Sequence, residues 1–262
     1  MKLFANDAVS RAADTRHVHM KNVRFSSITG VVLVTLLAGG WLARAAAAET
    51  EGVALAVIYD TSGSMRENVN DEHGKPTPKY VIANRALIAI SKQIQGFITN
   101  SASGAPRKVE AGLFIFDRDT ARQVIPFGPF SARAFEEWAQ NFSNPKGNTP
   151  LGNSLTLAAQ AVMESKLPHK HVLVITDGVN TAGPKPEQVF PAIKRNAERK
   201  GAAVSVHFVA FDVAAKVFEP VKKLGATVVA AADEKQLDTQ VQFILQRKIL
   251  LEDEEAPPKA GK

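Results

Sequence analysis

Residues 53–65 read VALAVIYDTSGSM, an unbroken apolar stretch that ends abruptly in Asp60, Ser62 and Ser64. A continuous run rich in Val and Ile is typical of a strand buried on both faces, as strands of parallel sheets are. The pattern therefore predicts a central strand over 53–59. An acid and two hydroxyls, each two residues apart, follow at the carboxyl end of that strand.

Strand-like and helical segments alternate after residue 50. Apolar runs predict the strands, and apolar residues at helical spacing predict the helices between them. The short link 117–119 predicts a hairpin, and therefore an antiparallel edge strand. The whole pattern predicts an α/β, Rossmann-like fold: a doubly wound, mostly parallel six-stranded sheet with one antiparallel edge strand and helices on both faces. The predicted strands are 53–59, 109–116, 122–127, 171–176, 204–209 and 227–230, and the predicted helices are 80–100, 131–141, 153–165, 186–199, 216–224 and 234–248.

Three polar groups follow strands or precede a helix in this arrangement: DTSGS at 60–64, GNTP at 147–150 and TDG at 176–178. In doubly wound folds, ligands bind beyond the carboxyl ends of the strands. Oxygen ligands with only two carboxylates suit Mg²⁺, with Mn²⁺ as a substitute. Each fragment alone could instead be an ordinary turn or helix cap. Together they predict a metal site with five ligands: Asp60, Ser62, Ser64, Thr149 and Asp177.

These motifs resemble the metal-ion-dependent adhesion site of von Willebrand factor type A (VWA) domains. The resemblance rests on VIYDTSGSM, KGNTPLGNSL and HVLVITDG, and extends weakly to residue 248. It implies that Ser62, Ser64 and Thr149 offer hydroxyls to the metal, while Asp60 and Asp177 act directly or through water. It also implies that one coordination position is left for a carboxylate of a protein partner. The segment Lys146-Gly147-Asn148 departs from the two glycines that the family often has there.

The N-terminal region has the pattern of a targeting segment. Residues 20–48 combine a basic start, an apolar stretch and small residues ending in Ala46-Ala47-Ala48. This is typical of a secretory signal peptide, and an uncleaved signal anchor is the alternative. We therefore expect a bacterial periplasmic or secreted protein, or one anchored to the cytoplasmic membrane and facing outward. Residues 1–19 are expected to be a non-native upstream extension, 51–250 the VWA domain, and 251–262 a disordered tail.

Charge and composition exclude several function classes. The 262 residues carry a net charge of +6, but residues 1–48 contribute six basic and two acidic residues, which leaves +2 for the rest. A nearly neutral domain gives no argument for nucleic-acid binding. The chain has no cysteine, which excludes thiol catalysis and cysteine-ligated metals.

The motifs favour a binding protein over an enzyme. There is no G-x-S-x-G elbow, P-loop or H-E-x-x-H motif in the sequence, and no histidine is placed by sequence beside Asp60. A metal-independent structural scaffold and, less favoured, a metal-dependent hydrolase remain alternatives. Basic residues expected to be exposed could help to select an acidic partner, although ordinary surface charge is the simpler interpretation. They include Lys75, Lys79, Lys146 and Lys185.

Overall fold

The computed structural model describes residues 52–100 and 107–250, so the predictions for 1–48 and 251–262 lie outside the described residues. The strands are β1 Gly52–Tyr59, β2 Asn68–Asn70, β3 Pro76–Pro78, β4 Lys108–Asp117, β5 Thr120–Pro129, β6 His169–Thr176, β7 Ser205–Phe211 and β8 Thr227–Ala231. Six of them form one sheet in the order β5-β4-β1-β6-β7-β8, and β2 and β3 form a separate antiparallel pair. All neighbours in the large sheet are parallel except β4 and β5. The predicted fold class is therefore confirmed.

Six α-helices are described, together with short 3₁₀ helices at Gly63–Arg66 and Ala215–Phe218 and a π-helical turn at Leu245–Leu250. Apolar residues of the first, second and sixth helices pack on one face of the sheet, and those of the third to fifth pack on the other. The α-helices are α1 Lys79–Thr99, α2 Ala132–Asn141, α3 Leu151–Glu164, α4 Pro186–Arg199, α5 Glu219–Lys223 and α6 Glu234–Ile244.

Strand β1 lies at the centre of the sheet and is buried along its whole length. Alternate side chains of a strand point to opposite faces. Accordingly, Leu55 and Val57 belong to the core under α1, whereas Ala56 and Ile58 belong to the core under α3. This double burial explains why the sequence of β1 is apolar at every position rather than at every second one.

The link between β1 and α1 contains a 3₁₀ turn and the hairpin β2–β3, for which the sequence analysis predicted no element. Asp71 shapes the hairpin turn, because its Oδ1 accepts hydrogen bonds from the backbone N–H groups of His73 and Lys75 and its Oδ2 accepts one from the Thr77 hydroxyl. These bonds give Asp71 a structural role. Sequence reasoning missed the hairpin because its strands are only three residues long and β3 contains two prolines.

Other differences concern element ends. Helix α3 begins at Leu151, two residues before the predicted start. The predicted helix 216–224 is divided into a 3₁₀ turn and α5, and the predicted helix 234–248 changes to a π-helical turn after Ile244. Within the described ranges, no helix is both long enough and apolar enough to cross a membrane.

Candidate metal centre

The site lies at the topological switch point of the sheet. From β1 the chain continues to β4 on one side, and later returns to β6 on the other side of β1. A crevice forms between strands where the order reverses in this way. Asp60 follows β1 and Asp177 follows β6, and the Asp60 N–H donates to the Ile175 carbonyl at 3.1 Å. The topology thus brings two carboxylates that are far apart in sequence to the same edge.

A chain of hydrogen bonds joins four of the five predicted ligands. The hydroxyl oxygens of Ser62 and Ser64 lie 3.0 Å apart, and the Ser64 hydroxyl donates to Asp177 Oδ1 at 2.8 Å. Asp60 Oδ1 accepts a hydrogen bond from the Ser62 N–H at 2.8 Å. Its Oδ2 accepts one from the Thr176 hydroxyl at 2.6 Å. Both oxygens of Asp60 therefore hold the surrounding loop in place.

Thr149 approaches the same point from the loop before α3. A methyl group built on Gly178 would lie 3.7 Å from the Thr149 hydroxyl oxygen and 3.9 Å from that of Ser64. The two oxygens therefore flank the space beside Gly178, next to Asp177. The structure brings all five predicted residues to one edge of the sheet, where hydrogen bonds join four of them and the Thr149 hydroxyl lies beside Gly178.

Backbone hydrogen bonds fix the three loops against each other. The Gly63 N–H donates to the Gly147 carbonyl at 3.2 Å, and the Lys146 N–H donates to the Thr61 carbonyl at 2.7 Å. The Thr149 N–H donates to the Thr181 hydroxyl at 2.8 Å. Gly147 has φ of +90°, a conformation that favours glycine. These bonds fix the backbones of the loops that carry the predicted ligands.

Asp60 is held in an unfavourable environment for a charge. It is fully buried, and this burial, together with the negative charge of Asp177, raises the pKa of Asp60 to about 6. The hydrogen bonds from Ser62 and Thr176 act in the opposite direction but are outweighed. A cation placed between the carboxylates would remove the repulsion that contributes to this shift.

Lys79 is part of this site, although the sequence did not predict it. It was expected to be exposed, but only 3% of its side chain is accessible, so this expectation is wrong. Its ammonium group contacts three carboxylates: Glu67 at 2.9 Å, Asp177 at 3.1 Å and Asp212 at 2.9 Å.

The acids around Lys79 keep it charged. Burial disfavours the charged ammonium, but the hydrogen bonds to Glu67 and Asp212 and the charge of Asp177 outweigh burial and raise the pKa of Lys79. The structure therefore supplies an internal counter-ion to Asp177.

Two sequence signals could have identified these neighbours. Lys79 is the first residue of α1, where the helix dipole disfavours a positive charge, so a lysine there needs an acidic partner. Asp212 follows the buried strand β7, as Asp60 follows β1 and Asp177 follows β6. Asp212 also has φ of 52°, which is uncommon for a residue other than glycine.

The described residues contain no group of three or more His, Cys, Asp or Glu side chains placed to hold a metal. The candidate centre therefore depends on hydroxyl groups as much as on carboxylates. The side chains that meet at this edge offer oxygen atoms, the ligand type that hard cations prefer.

Residues 55–180 match the family model of the von Willebrand factor type A domain. The fold is also similar to solved structures. The PilB minor pilin from Streptococcus sanguinis has a TM-score of 0.55 and 14% identity, with 75% of this chain and 61% of the pilin covered. Proximal thread matrix protein 1 from the mussel byssus, solved with a zinc-occupied MIDAS motif, has a TM-score of 0.55 and 16% identity. The match covers 75% of this chain and 48% of the mussel protein.

The VWA domain of SpRpn10 has a TM-score of 0.50 and 10% identity, with 74% of this chain and 94% of that domain covered. The chain thus spans about three fifths of the pilin and about half of the mussel protein. Comparison with curated protein sequences gives no match. The family match and the shared fold support a VWA domain, a fold that generally mediates protein interactions and often carries a metal-ion-dependent adhesion site.

We expect Asp60→Asn to stabilise the metal-free protein at pH 8, because it removes a buried negative charge and keeps an acceptor for the Ser62 N–H. The gain should be about 1–3 kcal/mol. Because folding raises the pKa of Asp60 to about 6, ionisation of Asp60 does not affect wild-type stability below about pH 4. The wild type then loses stability as the pH rises through about 6. The difference between variant and wild type should therefore vanish towards pH 4.

Urea unfolding in EDTA between pH 4 and pH 8 measures this difference. The exposed substitution Asp119→Asn makes the same charge change and serves as the control. A D60N protein that is less stable than wild type at pH 8 would contradict the electrostatic account of Asp60.

Lys79→Met should destabilise the metal-free protein, because it leaves the Asp177 side chain buried without its counter-ion. Removing one partner of a buried ion pair costs about 3–5 kcal/mol. The double variant Lys79→Met/Asp177→Asn should recover most of this loss in urea unfolding. Lys75→Met, at an exposed position, is the control. Equal stabilities for K79M and wild type would show that Lys79 does not balance the charge of Asp177.

Proposed function

We propose that this protein binds a divalent cation, Mg²⁺ or its substitute Mn²⁺, at Asp60, Ser62, Ser64, Thr149 and Asp177. Through that cation it binds an acidic side chain of a protein partner. The observation that carries this proposal is the hydrogen-bonded chain from Ser62 through Ser64 to Asp177, with the Thr149 hydroxyl beside it. A metal ion in this position would replace contacts between oxygens that now lie against one another.

The donor set supports Mg²⁺ or Mn²⁺ over softer ions. All five side chains present oxygen, and two of them are carboxylates. Mg²⁺ prefers oxygen ligands, keeps several of its water molecules and uses few carboxylates. When bound, the ion would supply a Lewis-acidic positive charge that can attract a partner's carboxylate.

The proposed ligands leave the attraction of another acid to the metal ion itself. Only two of the five, Asp60 and Asp177, carry a negative charge, so their charges match but do not exceed that of a divalent cation. Lys79 contacts Asp177 at 3.1 Å but is shared with Glu67 and Asp212, so Lys79 does not by itself make the site positive. The bound ion would therefore be the group that attracts a partner's carboxylate.

Two alternatives are less well supported. A hydrolase would need a base beside Ser62 or Ser64, but the histidines of β6 and β7 lie at the start of their strands, at the opposite edge of the sheet from Ser62. VWA domains are also generally interaction modules rather than enzymes. If the domain were a scaffold that binds no metal, the burial of Asp60 beside Asp177, with Lys79 as counter-ion to Asp177, would have no explanation.

We further propose that residues 51–250 form the binding domain and that it acts outside the cytoplasmic membrane. The support for export is the signal-like sequence 20–48. If that segment is retained, it would hold the domain at the outer face of the cytoplasmic membrane.

Metal titration tests the proposed function directly. Calorimetric titration of EDTA-treated protein with Mn²⁺ should show one site, and saturating Mn²⁺ or Mg²⁺ should raise the melting temperature. Ser62→Ala should weaken metal binding by about tenfold or more, because it removes one ligand while leaving the backbone bond to Asp60 intact.

Ser205→Ala, at the start of β7 on the opposite edge of the sheet, provides the matched control and should bind Mn²⁺ like wild type. Equal Mn²⁺ affinity for wild type, S62A and Asp177→Ala would place the metal elsewhere. Failure of the wild type to bind Mn²⁺ at millimolar concentration would favour the scaffold alternative.

A further inference from the structure

A cavity of about 500 Å³ opens beside the candidate metal centre. Its wall includes Thr61, which lies between Asp60 and Ser62, and Gly147, which lies two residues before Thr149. None of the five proposed metal ligands lines it. The cavity therefore shares two loops with the metal centre but is a separate space at the same edge of the sheet.

The cavity has an aromatic floor. Trp138 and Phe142 lie there with their ring centroids 5.0 Å apart and their planes almost parallel, at 10°. Both rings also meet Tyr59 edge to face, at 5.1 Å and 5.6 Å. Since Tyr59 is the last residue of β1 and is fully buried, the floor is fixed to the central strand. A rigid aromatic surface of this kind binds apolar side chains.

The walls of the cavity carry an excess of positive charge. Arg118, Arg122 and Lys146 are exposed and line it, whereas Asp117 is the only acidic residue among the lining residues. Asp117 lies 3.4 Å from Arg122, so the pairing of these two leaves Arg118 and Lys146 as the net charge of the cavity. An acidic ligand is the complementary class.

Arg118 is held in a strained backbone conformation. It is the first residue of the two-residue turn between Asp117 and Thr120, which pair across β4 and β5. Its φ is 56°, in the left-handed region. Such a turn favours glycine at this position, and another residue there costs about 1–2 kcal/mol. Backbone strain of this kind clusters at binding and active sites, so the conformation of Arg118 supports a binding role for this turn.

We propose that this cavity binds a second part of the same protein partner: an acidic segment that carries an apolar side chain next to its acidic residues. One carboxylate would reach the metal, a second would pair with Arg118 and Lys146, and the apolar side chain would pack on Trp138. This inference rests on the proposed function, because it assigns the composition of the partner that the metal centre binds.

Selection from a random 12-residue peptide library displayed on phage tests this inference without knowing the partner. The full chain is immobilised in Mg²⁺, and enriched peptides are synthesised and measured by fluorescence anisotropy. We expect enriched sequences to hold two acidic residues and an apolar or aromatic residue within a short stretch. The double variant Arg118→Glu/Lys146→Glu should bind these peptides about tenfold or more weakly, and its Mn²⁺ affinity should not fall below that of wild type, because the added charges are negative.

Lys92→Glu/Lys108→Glu makes the same change in net charge at exposed positions away from the cavity and should bind the peptides like wild type. Peptides with a single acid that bind wild type and R118E/K146E equally would overturn the cavity proposal but leave the metal proposal intact. Peptides that still depend on Arg118 and Lys146 in EDTA, or with Asp177→Ala, would support the cavity and contradict the metal bridge. The absence of any enriched peptide in Mg²⁺ would count against the cavity proposal.

Discussion

The close approach of two buried carboxylates, Asp60 and Asp177, is the constraint on which this edge of the molecule depends. They directly follow two neighbouring parallel strands, β1 and β6, so the fold itself brings their charges together. Buried like charges are unfavourable unless nearby groups compensate them. Here the hydroxyl of Thr176 and the N–H of Ser62 bind Asp60, while Ser64 and Lys79 bind Asp177. The protein can therefore keep the two acids together before any metal arrives.

This compensation is incomplete, and that gives the site its proposed use. Lys79 contacts Asp177, but Asp60 remains a fully buried acid with a raised pKa. A divalent cation would meet preformed oxygen ligands with unsatisfied negative charge. The two non-glycine residues with positive φ in the described ranges, Arg118 and Asp212, also lie at this edge. Backbone strain at Arg118 and Asp212 and repulsion between Asp60 and Asp177 therefore occur at the edge where a partner would bind.

Much of this arrangement could be predicted from sequence. The uninterrupted apolar runs of β1 and β6 predicted buried parallel strands, and the strand-end rule placed Asp60 and Asp177 together. The sequence did not predict interactions between residues that are distant in the chain and become neighbours only in the folded protein. Lys79 was grouped with surface lysines because a single lysine gives no sign of burial until its acidic neighbours are known. The hairpin β2–β3 was missed because three-residue strands are too short to show alternation.

The cavity beside the metal loop could not be predicted for a related reason. Its aromatic floor comes from α2 and the residue after it, and its positive charges from the β4–β5 turn and the loop before α3. No local sequence pattern joins these segments. Only the sheet order, which places β4 beside β1, brings them to the metal loop.

The most direct test of the central claim is a crystal structure of the protein grown with Mn²⁺, with anomalous scattering used to locate the metal. The account predicts one strong anomalous peak within coordination distance of the Ser62, Ser64 and Thr149 hydroxyl oxygens, and a Ser64 hydroxyl that binds the metal while still close to Asp177. The absence of a peak between these residues, with Ser64 still donating to Asp177 and Mn²⁺ bound elsewhere or not at all, would contradict it.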